Sequence, residues 1–393
     1  MKNMLIAQSG GPSMVINQSL AGAVMTARKS KAIGKIYGAV HGIDGVLKEE
    51  FIDLKKVPAK IWATIAATPS SALGSVRRKP SPEDCAKIFE VLKKHSIGYF
   101  FYIGGNDSAE TAHIIAETAR KEGLPIKCFH IPKTIDNDLL ENDHTPGYGS
   151  AARFVAMAFM GDNLDNLALG GVKINIVMGR HAGFLAAASA LARRAPDDGP
   201  HLIYLPERAF SLDRFAADVK AALAKYGRCV VAVSEGIHGA DGVPIAATLG
   251  VAEKDSHGNI QLSGTGSLGD LLAAEIKRRL GVKRVRADTF GYIQRSFPGI
   301  ASDADSMEAF AAGAAAVLEA VSGALDSASI AIIRAKGKKY AISCKPVPLS
   351  KVAKHTRAMP PSYINKSGNN VTQAFLDYAA PLVGPLPETA RLI

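Results

Sequence analysis

Two turns in this chain carry opposite charges in positions suited to phosphate chemistry. Gly104-Gly105-Asn106-Asp107-Ser108 places a carboxylate, Asp107, just past a glycine pair, and Pro132-Lys133-Thr134-Ile135-Asp136-Asn137-Asp138 places an ammonium, Lys133, in the next turn. A glycine pair at a strand end exposes backbone N–H groups that a phosphate can approach with no Cβ in the way. A carboxylate beside such a cradle repels a long nucleotide triphosphate. A lysine facing the same spot suits a short, highly charged anion.

The remaining reactive side chains follow the same pattern. Asn106 or Asp107 can hold Mg²⁺ directly or through water, because this hard cation prefers oxygen ligands; the same two residues read equally as caps on the following helix. Thr134, Asp136 and Asp138 alternate, so an extended segment would turn all three to one side. An Asp within reach of a substrate hydroxyl can take its proton as the oxygen attacks phosphorus, a step worth about 10² to 10⁴ in rate, although Asp and Asn clusters also serve simply as Asx-turns. Ser9-Gly10-Gly11 repeats the glycine cradle and reads also as a tight turn. Arg180, in Met178-Gly179-Arg180-His181, offers a planar fork for a sugar phosphate, or a surface ion pair. Glu235 can accept from sugar hydroxyls or cap the next element, and Gly291-Tyr292-Ile293-Gln294-Arg295 sets an aromatic hydroxyl near a guanidinium.

Strands must aim these groups. Leu5–Gln8, Tyr99–Ile103, Ile126–Ile131, Ile174–Met178 and Val230–Val233 read as short buried strands, each running into one of the polar clusters. Ser81-Pro82 predicts a helix N-cap with proline in the first turn, followed by Cys85, Ile88, Phe89 and Leu92 at helical spacing. A second helix carries Ala112, Ile114, Ile115 and Ala119, and a third spans Leu268–Leu280. Strands alternating with helices predict an α/β fold with open, mainly parallel sheets. In such sheets ligands bind outside the carboxyl ends of the strands. Glu253–Gly266 reads as an inserted loop or hairpin, and Ile330–Arg334 with Tyr340–Cys344 as a hairpin around Lys336-Gly337-Lys338. The segment after Pro346 reads as an ordered extension with helical character in Val371–Tyr378.

Composition narrows the function classes. At 393 residues, 47% apolar, 21% charged and 6% aromatic, the chain has the make-up of a two-lobed globular enzyme. A net charge of +11, from 47 basic and 36 acidic residues, favours anionic partners. The basic residues are dispersed and few aromatics lie among them, which argues against nucleic acid. No apolar run reaches the roughly 18 residues of a membrane span, and no signal peptide is apparent, so a cytoplasmic location is expected. The four cysteines form no Cys-x-x-Cys pair, so neither a zinc site nor a disulfide framework is expected.

The order of the motifs Ser9-Gly10-Gly11, Gly74-Ser75-Val76-Arg77, Gly104–Ser108, Pro132–Asp138, Met178-Gly179-Arg180, Ser234-Glu235-Gly236, Arg286 and Gly291–Arg295 resembles the phosphofructokinases over roughly residues 3–334. That resemblance implies two Rossmann-like, three-layer lobes with the active site between them: residues 1–147 plus 294–345 for the phosphoryl donor, and 148–293 plus 346–393 for the sugar phosphate. It implies reversible phosphorylation of fructose 6-phosphate at the C1 hydroxyl, giving fructose 1,6-bisphosphate, in a Mg²⁺-dependent homodimer. Asp136 would be the base, with Thr134, Ile135 and Asp138 beside it, and Arg77 would contact the transferring group. Gly11, Gly105 and Ser108 would cradle the donor, with Asn106 toward the metal. Met178, Gly179, Glu235 and Tyr292 would line the sugar, and Arg180, Arg286 and Arg295 would hold its phosphate, one or more across a subunit boundary.

ATP-dependent members carry glycine at the positions of Asp107 and Lys133, so the pair resembles the pyrophosphate-dependent branch, which releases phosphate as its second product. An ATP enzyme with atypical residues and a non-catalytic phosphosugar-binding protein are the alternatives. Three departures from the family pattern stand out. Asn106 replaces an aspartate, Tyr292 replaces a histidine, and Gly171 replaces a phosphate-binding arginine, with Lys173 as a candidate substitute. Ala21 and Met25 stand where effector-binding arginines would be, so no nucleotide or phosphoenolpyruvate control is expected.

Overall fold

The run Met4-Leu5-Ile6-Ala7 is buried on both faces, as a central strand of a covered parallel sheet must be. A computed structural model describes residues 1–249, 266–337, 339–353 and 355–392. Most of the predicted insertion Glu253–Gly266 therefore lies outside the described residues. The chain divides into two compact units, Met1–Tyr148 with Arg295–Arg357, and Gly149–Gln294 with Ala358–Ile393.

In chain order the strands are β1 (Lys2–Gln8), β2 (Ile33–Ala39), β3 (Phe51–Asp53), β4 (Ile97–Gly104), β5 (Lys127–Pro132), β6 (Gly171–Val177), β7 (Leu202–Tyr204), β8 (Arg228–Ser234), β9 (Val285–Thr289), β10 (Ser327–Arg334) and β11 (Ile342–Val347). The first unit holds a seven-stranded sheet in the order β11-β10-β5-β4-β1-β2-β3, parallel except for its two edge strands. Alternating side chains of β1 serve opposite faces. Met4 and Ile6 pack with helices Ile16–Lys29, Ala59–Ala67 and Asp303–Ser322, whereas Leu5 and Ala7 pack with Gly42–Lys48, Pro82–Lys94 and Asn106–Lys121. The result is a three-layer α/β unit. Chain direction across the sheet reverses between β1 and β4, the switch point where such sheets open a ligand crevice.

The second unit is also α/β, with a parallel four-stranded sheet in the order β7-β8-β6-β9. Helices Leu212–Tyr226 and Ser267–Leu280 supply apolar residues to its core.

Local chemistry sets several boundaries. Ser81 Oγ accepts from the Asp84 N–H at 3.2 Å while Asp84 Oδ2 accepts from the Ser81 N–H at 3.0 Å, a reciprocal cap that starts helix Pro82–Lys94 where the sequence predicts it. The β10–β11 hairpin forms, but its second strand begins at Ile342 rather than Tyr340, where the Ala335 N–H to Ala341 carbonyl bond at 2.8 Å closes the turn and the Tyr340 hydroxyl bonds the Glu308 carboxylate. Helices Ile16–Lys29 and Asp303–Ser322 cross at two glycines: a Cβ on Gly22 would lie 2.0 Å from the Phe310 carbonyl oxygen, and one on Gly313 would lie 2.0 Å from that of Ser19. Residues after Pro346 form the helices Leu349–Val352 and Gln373–Val383, an ordered extension. Among the described residues no helix is long and apolar enough to cross a membrane.

Candidate active site

In the first unit the chemistry gathers at the β1/β4 switch point. The turn after β1 is shaped by cations above it. A Cβ on Gly10 would meet Lys133 Nζ at 3.3 Å, and one on Gly11 would meet Arg295 Nη1 at 2.8 Å. Gly10 also has φ +75, a left-handed conformation that favours glycine. Its N–H donates to the Val76 carbonyl at 3.0 Å and its carbonyl accepts from Ser75 Oγ at 2.6 Å, which ties the Gly74–Arg77 segment to the turn.

Gly104 permits the neighbouring turn, since a Cβ there would lie 1.9 Å from Ser108 Oγ, the hydroxyl that bonds Ser9 Oγ. Its carbonyl accepts from the Lys133 N–H at 2.8 Å and from His130 Nε2 at 2.9 Å. Burial pushes His130 down to about 4, so the ring is neutral. Nε2–H therefore donates to Gly104, and Nδ1 accepts from the Ser329 hydroxyl at 2.8 Å. Nothing in sequence spacing singles out His130, because its partners come from β4 and β10.

Lys133 is buried and its Nζ donates to the Gly11 carbonyl. Burial, followed by the Arg295 and Arg77 charges, pushes the ammonium down to about 7, while Asp136 and Asp138 oppose that shift. Three cations and two carboxylates thus act on one turn. Arg77, Arg78 and Lys79 part ways: Arg78 pairs with Asp44 at 2.9 Å and Asp84 at 2.7 Å, and Lys79 pairs with Asp107 at 3.0 Å and Glu110 at 2.7 Å.

The segment 134–138 is not extended. It bends, with Asn137 in the left-handed region at φ +60. Thr134 Oγ1 accepts from the Asp136 N–H at 3.1 Å and donates to Asp138 Oδ1 at 3.2 Å, so the three oxygen-bearing residues gather through a turn rather than through strand alternation. Ile135 and Asn137 are buried beneath them. Burial and then the Asp136 charge raise Asp138 above the usual carboxylate range.

The capping alternative for Asn106 and Asp107 does not hold. Gly105 is the N-cap of helix Asn106–Lys121, with no side-chain cap bond. Asn106 Nδ2 instead donates to Asp138 Oδ2 at 3.1 Å, leaving its buried Oδ1 without a hydrogen bond. That oxygen, next to a carboxylate, is a donor set that suits a hydrated Mg²⁺. Among the described residues no group of three or more His, Cys, Asp or Glu side chains is disposed to hold a metal.

In the second unit the turns after β6 and β8 are stitched together. Ser234 Oγ donates to the Gly179 carbonyl at 2.6 Å, and Glu235 Oε1 accepts from the Gly179 N–H at 3.4 Å. Gly179 has φ +133, and a Cβ there would lie 2.6 Å from the Ala182 carbonyl. Met178 and Arg180 flank it, partly buried, and Glu235 is buried. Arg286 is exposed on β9 opposite Lys173, and Tyr292 is exposed in the short helix Gly291–Arg295. Tyr292 belongs to this unit, whereas Arg295 belongs to the first, where it covers Gly11. Lys173 is not available as a phosphate ligand: its ammonium pairs with Asp162 at 2.8 Å, Asp288 at 3.3 Å and Asp165 at 3.9 Å. Gly171 is glycine for a steric reason, because a Cβ would lie 2.5 Å from the Arg284 carbonyl.

A family model described as Phosphofructokinase matches residues 3–319. The pyrophosphate–fructose 6-phosphate 1-phosphotransferase of Rhodospirillum rubrum is 54% identical over 391 residues, covering 99% of this chain and 96% of that protein. The protein of the same name from Xanthomonas campestris is 42% identical, covering 97% of this chain and 91% of its own. The crystal structure of a pyrophosphate-dependent phosphofructokinase from Marinobacter aquaeolei superposes with a TM-score of 0.87 at 37% identity, covering 98% of this chain and 92% of that one.

Proposed function

This chain belongs to the phosphofructokinase family, and we propose that it moves a phosphoryl group reversibly between pyrophosphate and the C1 oxygen of fructose 6-phosphate, with Asp136 as the base. The observation that carries the donor assignment is Lys133, buried over Gly10 and Gly11 under the added charge of Arg295 and Arg77. A cation so crowded is stabilised by a compact polyanion. Pyrophosphate brings that charge without a nucleoside, and the Asp107 carboxylate, in the first turn of helix Asn106–Lys121, would repel a longer chain of phosphates.

In the forward direction Asp136 takes the C1 hydroxyl proton as that oxygen forms a bond to phosphorus. The bridging P–O bond of pyrophosphate breaks, and its electron pair leaves with phosphate. Thr134 orients Asp136 through the backbone N–H, and Asp138, held by Thr134 and Asn106, supplies a second oxygen pair. Lys133, Arg77 and Arg295 offset charge on the transferring group, a task in which position and charge do most of the work. Gly11, Gly105 and Ser108 contribute donors to the diphosphate. Mg²⁺, held by Asn106 Oδ1 and water with the nearby carboxylates, would neutralise phosphate charge. Arg180 and Arg286 take the sugar phosphate, the role that the family resemblance also implied for Arg295 before the structure put it over Gly11, while Met178, Gly179, Glu235 and Tyr292 line the sugar. We assign a homodimer as the working form, which analytical ultracentrifugation tests.

Initial rates with fructose 6-phosphate, Mg²⁺ and either pyrophosphate or ATP decide the donor. Faster turnover with pyrophosphate is expected, and equal or faster turnover with ATP sinks the assignment. Asp136→Ala should retain affinity for fructose 6-phosphate while kcat falls at least about 10²-fold. A near-normal rate would remove Asp136 from the base role.

A further inference from the structure

We propose that Arg357, on the extension that follows β11, is a positioning residue that clamps the loop carrying Asp136 and Asp138. The inference rests on the reading of Asp136 as the base. Its geometry is independent of that reading.

Arg357 binds this loop through several main-chain acceptors. Its Nε and Nη2 donate to the Asn137 carbonyl at 3.2 and 2.8 Å, and Nη1 donates to the carbonyls of Asn142 at 2.5 Å and Asp143 at 2.8 Å. The Arg357 N–H donates to the Asp138 carbonyl at 2.7 Å, and the preceding Thr356 forms an antiparallel bridge with Leu139. One residue therefore gathers four carbonyls between positions 137 and 143. Only a guanidinium has a rigid donor fork able to reach several of them at once; a lysine is a single point of charge.

The loop needs such support. Asn137 adopts φ +60, which asparagine tolerates, and Glu141 adopts φ +63, a left-handed conformation uncommon for a longer side chain. Carbonyls turned inward by such a path are costly if left without donors. The guanidinium charge also acts on the site, being one of the influences that lower Asp138 against burial and the Asp136 charge. Arg357 lies outside residues 3–319, the span matched by the family model, so the clamp is added by the extension rather than by the matched core.

The test compares Arg357→Met and Arg357→Lys with the parent enzyme in kcat, in KM for both substrates, and in amide hydrogen exchange over residues 137–145. Expected for Arg357→Met is a kcat lower by about ten- to a hundredfold with both KM values within about threefold, together with faster exchange in the loop. Millimolar guanidinium ion should restore part of that rate, and Arg357→Lys should fall between the two. A kcat within twofold of the parent in Arg357→Met, or loop exchange unchanged in both variants, overturns the proposal. Asp136→Ala separates the two ideas: a normal rate there refutes the base, while the exchange data still decide the clamp.

Discussion

Replacing Lys133 with arginine should flatten the pH dependence of pyrophosphate use. The ammonium is pushed from its ordinary 10.5 down to about 7, with burial the largest cause. A displacement of that size corresponds to roughly 5 kcal/mol against the charged form. In the free enzyme about half of Lys133 is protonated at pH 7, about a tenth at pH 8 and about a hundredth at pH 9, by the ordinary titration relation. If the charged form receives pyrophosphate, KM for pyrophosphate should rise about tenfold per pH unit above 7. A guanidinium stays charged across this range. The larger side chain of Lys133→Arg would be crowded, because Gly10 leaves only the space that Lys133 Nζ occupies, so KM should be higher than the parent's below pH 7 but stay level as the parent's rises. Pyrophosphate itself titrates, and the ratio of the two profiles removes that contribution. The assay is initial rate against pyrophosphate concentration from pH 6 to 9 at constant ionic strength and saturating fructose 6-phosphate. Parallel profiles would refute the argument, since they would mean that no titration of Lys133 governs binding.

Lys133→Met should stabilise the fold at low pH, because it removes a buried charge. The depressed folded pKa means that the unfolded state binds more protons between about 7 and 10.5, so the wild type gains stability as pH rises through that window, and the advantage of the variant, largest below 7, should shrink. Urea denaturation at pH 6 and 9 checks this, and an advantage that grows with pH would contradict it. Lys79→Met leaves Asp107 less neutralised beside the donor turn; KM for pyrophosphate should rise no more than about fivefold, the scale of a partly exposed ion pair, and Asp107→Asn in the same background should reverse the rise. Gly22→Ala forces a Cβ into the Phe310 carbonyl at 2.0 Å and should cost at least about 2 kcal/mol in a denaturation experiment, with any smaller cost showing that the two helices can slide apart.

Much of this architecture is legible in the chain. Apolar runs ending at glycine-bearing turns predict β1, β4, β6 and β8, one ending at Pro132 predicts β5, and Ser81-Pro82 predicts its helix start, because each is governed by neighbours a few residues away. Asp107, Lys133 and Asp136 are visible for the same reason, as unusual chemistry on short turns. Less visible are residues whose meaning depends on distant partners. His130 acquires its role from Gly104 and Ser329, Lys79 from Asp107 and Glu110, and Arg357 from carbonyls some 220 positions earlier. Lys173 shows the converse, since a basic residue at a suggestive position is committed to three carboxylates. Alternation also misleads at Thr134–Asp138, where side-chain bonds and a left-handed asparagine gather the oxygens in place of an extended strand.

The pairing of β10 with β5 has a consequence for synthesis. Strands β1 to β5 leave the ribosome early, but β10, which closes the β5 side of the sheet, begins at Ser327, and the His130–Ser329 bond joins residues 199 positions apart. Until that strand is made, the apolar edge Cys128-Phe129-His130-Ile131 offers unpaired backbone groups to any passing strand. Contacts of such long range form late and slowly. The nascent chain is therefore open to misassociation while the whole second sheet is being translated, and a growing chain stalled before Ser327 should depend on chaperones where the finished protein does not.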